Sequence, residues 1–265
     1  MLELPRYTKN NFKNREDAIQ EVEKLVARIR AGEQLASRTI VFGGARGLGK
    51  SWLAIHLKRE VLAGQPDLFP LFIGLGQHYA ENFSEYEERG QEWFVQSGAT
   101  PEDQVRSLVT WLAGELNVPR APDVGTSDLA SWILRTLDHP PFSHGSARSR
   151  ILVLVLDSLL EADELLIDRL EKDLLGSLAN LPHVLIVITG REKNRLWNSP
   201  SLSIPIAAQT LSSFRDAPDL IQEQLKLQLK GAPLSREELE KILSLIHISE
   251  PTRLRRISYA VFCLK

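Results

Sequence analysis

The stretch Gly44-Ala45-Arg46-Gly47-Leu48-Gly49-Lys50-Ser51 constrains this chain more than any other. It matches G-x-x-x-x-G-K-[ST] and lies between a strand pattern and a helix pattern, the context that gives this motif its meaning. Ahead of it, Thr39-Ile40-Val41-Phe42 is β-branched and aromatic and breaks at Gly43-Gly44. Behind it, Ser51–Ala63 has helical spacing and closes at Gly64 and Pro66. Glycines open backbone angles denied to other residues and let N–H groups approach an anion closely. Those N–H groups, with the N-terminus of the following helix, make an anion nest. Lys50 is expected to reach the β- and γ-phosphates of a nucleotide, and the Ser51 hydroxyl to ligate Mg²⁺. We assign the whole loop, 44–51, and Trp52 directly after it to nucleotide binding.

The rest of the chain alternates in the same way. Strand patterns recur at Leu68–Leu75, Ile151–Leu156, His183–Thr189 and, more weakly, Ser203–Ala208. With Thr39–Gly43 that makes five strands. Helical patterns fill most of the intervals. Glu16–Arg30 sets Ile19, Val22, Val26 and Ile29 on one face. Gln91–Leu116 reads as two helices divided near Gly98–Pro101, and Ala162–Leu181 as one more. Continuous apolar strands alternating with helices predict an α/β fold with a parallel sheet covered on both faces. We divide the chain into an entry segment (1–38), an α/β core (39–210), the start of a helical lid (211–242) and a tail (243–265).

Carboxylates at the polar ends of the strands complete the chemistry. Ile151–Leu156 runs into Asp157, and a carboxylate at that edge is suited to hold Mg²⁺ through water beside Ser51. Hydrolysis also needs a group that orients or deprotonates water. Glu161 is the candidate base; with Asp163 and Glu164 it equally suits the N-terminus of the next helix. The neighbouring strand ends Thr189-Gly190-Arg191-Glu192, which places Thr189 or Arg191 as a sensor of the terminal phosphate.

Composition narrows the setting. The chain has 265 residues, a net charge of −2 and one cysteine, so it forms no internal disulfide. The N-terminal residues are polar and lack the apolar centre of a signal peptide, and no apolar run is long enough to span a bilayer. The expected location is the cytoplasm, with no membrane partner. Leu243–Arg253 and Ile257–Leu264 match the in-frame translation of a transposase-type sequencing adaptor, interrupted where a sample index falls. The tail is therefore read as non-native, Cys263 with it, and the natural segment as ending near Ile242. Without Arg253, Arg255, Arg256, Lys265 and Glu250 the net charge goes from −2 to −5. That charge speaks against nucleic acid as a partner.

Taken together, these residues resemble the P-loop ATPase module of the STAND class, the signalling relatives of AAA+ proteins that include the NACHT and NB-ARC families. Asn11-Phe12-Lys13-Asn14-Arg15-Glu16 looks like the class's F-x-G-R-E entry element, with Asn14 where glycine is usual. That likeness puts Arg15 on the adenine side of the nucleotide. Thr189-Gly190-Arg191 looks like the class's T-x-R signature, with Arg191 as sensor. Glu161 falls where NACHT-type Asp-x-x-x-Glu segments carry their acid, with Leu160 in place of the intermediate Asp. The resemblance implies a three-layer fold of the additional-strand class, sheet order 5-1-4-3-2, followed by a helical lid. It also implies ATP or ADP with Mg²⁺, slow hydrolysis, and self-association of the full-length protein. No N-K-x-D guanine-reading element occurs, which favours ATP over GTP. Two other functions stay open. One is an AAA+ ATPase acting on DNA or protein, as origin-recognition relatives do, with Arg135, Arg148 or Arg150 as a finger toward a neighbouring subunit. The other is a nucleotide-binding scaffold without turnover, prompted by Ser158 directly after Asp157 and by Leu160.

Overall fold

The structure is a computed structural model. It describes residues 12, 15–45, 48–76, 79, 91–117, 126–137, 150–191, 195–203, 205 and 207–211. Arg46, Gly47, Glu192, Arg148, the lid segment beyond 211 and the tail lie outside the described residues.

Helix α1 (Glu16–Arg30) opens the described chain. Its first turn carries Glu16 and Asp17 and its last Arg28 and Arg30, charges that suit the two ends of the helix dipole. It buries Ala18, Val22, Leu25, Val26 and Ile29, with Ile19 half-buried at the margin of the predicted face. Strand β1 (Thr39–Gly43) leads into the loop and helix α2 (Lys50–His56), which widens into a π turn over Leu57–Leu62. Strands β2 (Leu68–Gly74) and β3 (Glu92–Phe94) follow. Helix α3 (Pro101–Glu115) starts cleanly. Thr100 accepts from the Asp103 amide, and proline takes the first turn, where its missing N–H costs nothing. Then come α4 (Thr126–Leu137), β4 (Ile151–Asp157) and α5 (Glu164–Leu170). Helix α5 runs on through a π turn, Glu171–Leu175, and a last turn, Gly176–Leu178. Strand β5 (Val184–Thr189), the short α6 (Pro200–Ser203) and β6 (Ala207–Thr210) complete the described elements.

The sheet order is β3-β2-β4-β5-β1-β6, and every described pair is parallel. Read from the other edge, the five expected strands stand in the expected order, 5-1-4-3-2. The difference is a sixth strand, β3, beyond β2. This corrects the reading of 91–116 as two helices: residues 92–94 are extended, and one helix follows from Pro101. Trp93 and Phe94 are buried there, so tertiary burial overrides a local pattern too short to show period two. The last strand also shifts. Residues 200–203 form a helical turn and pairing with β1 begins at Ala207.

Burial along β4 explains the layers. All seven of its residues are enclosed, as expected of a central parallel strand. Leu152, Leu154 and Leu156 belong to the core under α3, α4 and α5. Ile151, Val153 and Val155 belong to the opposite core under α1 and α2. Side chains alternate across the sheet, so helices must cover both faces. Among the described residues, no helix is long and apolar enough to cross a membrane.

Candidate functional site

In a parallel sheet every strand presents its C-terminal end at the same edge. Here that edge carries Gly43-Gly44 after β1, Asp157 closing β4, and Thr189 closing β5. β5 lies between the strand that feeds the loop and the strand that ends in Asp157. The arrangement brings together residues more than a hundred positions apart.

Backbone geometry builds the loop. Gly44 has φ +145° and Gly49 φ +74°, both in the region that favours glycine. At Gly44 there is also no room, since a Cβ would stand 3.0 Å from Leu48 Cδ1 and 3.3 Å from the Leu211 carbonyl. Gly49 is the residue from which α2 starts. Lys50 is buried, and its Nζ donates to the carbonyls of Gly44 (2.8 Å) and Ala45 (2.9 Å). Burial pushes its pKa below the ordinary lysine value; Glu161 and Asp157 oppose that, and Arg191 adds to it.

Glu161 stands between two cations, 3.9 Å from Lys50 Nζ and 3.3 Å from Arg191 Nε. Its position comes from a short 3₁₀ turn, Leu159–Glu161, entered through Ser158 at φ +59°. The following helix is capped by a different acid. Asp163 accepts from the amides of Leu165 (2.9 Å) and Leu166 (3.2 Å). Asp163 thus caps the helix, while Glu161 faces Lys50 and Arg191. Gly190 lets this turn approach the end of β5. A Cβ on it would fall 2.7 Å from Leu160 Cβ and 3.2 Å from the Leu160 amide nitrogen, so Gly190→Ala should be costly. We expect a loss of roughly 1–3 kcal/mol, seen as a fall of several degrees in the melting temperature. An unchanged melting curve would mean that the turn gives way freely.

Asp157 is fully enclosed. Its Oδ1 accepts from the Thr189 hydroxyl. Its Oδ2 accepts from the hydroxyls of Tyr79 (2.7 Å) and Ser158 (3.2 Å). A second tie closes the group, as the Ser158 amide donates to Thr189 Oγ1 (3.2 Å). Thr189 therefore faces the carboxylate, while the more exposed Arg191 faces Glu161. Arg15 is buried and donates to the carbonyl of Leu48, tying the entry segment to the loop (2.7 Å). Burial lowers its pKa. Phe12 stacks on His56 of α2 with centroids 3.8 Å apart. Ser51 and Trp52 are half-buried on the first turn of α2. Of the three arginines weighed as fingers, Arg135 lies 5.7 Å from the Trp132 ring, Arg150 is exposed, and Arg148 is not described. Sequence reasoning missed Tyr79. It sits 78 residues before its partner, between a strand and segments outside the described residues, and no spacing rule connects the two.

No protein-family model matches the chain, and no curated protein sequence does. Solved structures do. The chain is similar to the Orc1 protein of Aeropyrum pernix in complex with DNA, with a TM-score of 0.54 and 15% identity, over 93% of this chain and 58% of that one. It is similar to a Walker-type ATPase of Pyrococcus abyssi, with a TM-score of 0.54 and 16% identity, over 91% and 65%. It is also similar to the Drosophila ORC bound to DNA, with a TM-score of 0.53 and 14% identity, over 91% and 58%. The chain thus spans less than two thirds of each of those chains. At such identities the likeness is one of fold, and the fold is that of the P-loop ATPases. One expectation is corrected. The net charge speaks against nucleic acid, yet two of these structures hold the fold with DNA bound. A net charge averages over a surface, whereas binding depends on local patches that the average hides.

Proposed function

We infer that the chain is an ATP-binding module that hydrolyses ATP slowly and serves as the nucleotide switch of a STAND-type signalling ATPase. The observation that carries this is the row Lys50, Glu161 and Arg191, with Asp157 beside it, at one edge of a parallel sheet. The residues fit a magnesium nucleotide. Gly44 and Gly49 give the loop the positive-φ backbone of an anion nest, and Ser51 and Asp157 offer the hard oxygen donors that magnesium takes. Those two residues would hold the ion, which when bound would neutralise phosphate charge.

The loop amides and Lys50 bind the phosphates. Lys50 exchanges its two carbonyl partners for phosphate oxygens, which accept more strongly because they are charged. Glu161 orients the attacking water and takes its proton, and Arg191 reads the terminal phosphate. Arg15 steadies the loop through Leu48. A switch additionally requires that ATP and ADP favour different states by a difference in affinity.

The test is a calorimetric titration of the chain with Mg·ATP, Mg·ADP and Mg·GTP. Adenine-selective binding is the expected result. Absence of binding by all three would overturn the module, and equal binding of GTP would overturn the base preference. A second reading, an AAA+ ATPase acting on DNA, is favoured by the DNA-bound neighbours. DNA binding that weakens steeply with salt would move the assignment to it.

A further inference from the structure

Asp157 is fully buried at the site, as is Thr189, and its hydrogen bonds account for a carboxyl group in such a place. A carboxylate has two oxygens and about four lone-pair directions. Among the described residues three hydroxyls take one each: Thr189 on Oδ1, and Ser158 and Tyr79 on Oδ2. Thr189 and Ser158 come from the strand end and the turn that any such site must contain. Tyr79 comes from elsewhere, beyond β2, and is 1% exposed. Its ring meets Phe72 edge-on at 6.0 Å and lies tilted against Phe94 of β3 at 5.1 Å. Gly74, at the end of β2, makes room for it. A Cβ there would stand 2.8 Å from Tyr79 Cδ2 and 2.6 Å from Phe94 Cδ1. A missing side chain, two aromatic neighbours and a 2.7 Å bond all serve to bring one phenol onto one carboxylate oxygen.

We propose that Tyr79 is a positioning residue for magnesium: acting through Asp157, its hydroxyl fixes the rotation of the carboxylate and leaves a single lone-pair direction for a magnesium-bound water. Without it the carboxyl group gains freedom to turn, and magnesium binding must re-order it. This rests on the reading of the site as a Mg·nucleotide binder.

Tyr79→Phe keeps the ring and its contacts and removes only the hydroxyl. The experiment is calorimetric ATP binding by the full chain across a magnesium series and in EDTA, for wild type, Tyr79→Phe, Asp157→Asn and the double variant. We expect Tyr79→Phe to raise the magnesium concentration for half-maximal tightening roughly 3- to 10-fold, the worth of one hydrogen bond. ATP affinity in EDTA should not change. In the Asp157→Asn background the same substitution should do nothing further, because its effect passes through the carboxylate. A wild-type magnesium curve in Tyr79→Phe would overturn the role of Tyr79 alone, as would an equal loss of affinity in EDTA, the mark of a merely structural residue. Absence of ATP binding by the wild type in both magnesium and EDTA would instead overturn the site reading, and the role of Tyr79 with it.

Discussion

Lys50→Ala should weaken Mg·ATP binding about 100-fold or more while leaving the melting temperature within a few degrees of wild type. Hydrogen bonds to charged groups are worth about 1.5–3 kcal/mol each, and the ammonium has two positioned for exchange onto phosphate. Stability should change little because the lysine is itself a cost. It is buried, its pKa is lowered by desolvation, and its loss removes a charge held in a poor environment. The wild type carries a second signature. Phosphate would raise the Lys50 pKa again, so binding takes up a proton wherever the free lysine is partly neutral. Affinity should therefore fall as pH rises through the lowered lysine pKa, below the ordinary 10.5, and Lys50→Ala should lack that slope. Calorimetry at several alkaline pH values reads both effects. Unchanged ATP affinity in the variant would remove Lys50 from the site.

What could be read ahead of the structure follows from the range of each interaction. The loop at 44–51 is local. Its glycines, lysine and serine are spaced by the chain, and the flanking strand and helix patterns are complete within a few residues. The order of the five strands was legible only through the resemblance, while the continuous apolar runs alternating with helices predicted a parallel sheet covered on both faces. Asp157 was legible as a polar residue ending such a run. β3 was not. A three-residue strand has no period to detect, and only the burial of Trp93 and Phe94 against β2 makes it one. Glu161 was seen as a site acid or a helix-terminal charge. Asp163 takes the cap, which no pattern of acids could have decided. Gly190 read as part of a signature, yet its missing side chain makes room for Leu160. Tyr79 was invisible, since its whole effect comes from contact across 78 residues.

Glu161→Gln should lower the rate of ATP hydrolysis by roughly 10²- to 10⁴-fold, the usual worth of a positioned general base. ATP binding should persist, and tighten by a few-fold. The carboxylate stands 3.9 Å from Lys50 and 3.3 Å from Arg191, so its charge competes with a ligand's phosphates for both cations. An amide of the same shape releases them. The two effects run in opposite directions, and that separates a base from a strut. A residue needed only to hold the 3₁₀ turn would on removal lose stability and binding together. The fold should tolerate the change, because Asp163 rather than Glu161 caps the next helix. Single-turnover hydrolysis with protein in excess over Mg·ATP is the measurement, since it detects turnover too slow for steady-state assays. If the variant hydrolyses ATP at the wild-type rate, Glu161 is an ion-pair latch on Lys50 and Arg191 and the base lies elsewhere. If wild type and variant both bind ATP and neither hydrolyses it, the module is a nucleotide-binding scaffold, in which Leu160 and Ser158 mark a site that has kept its grip and lost its chemistry.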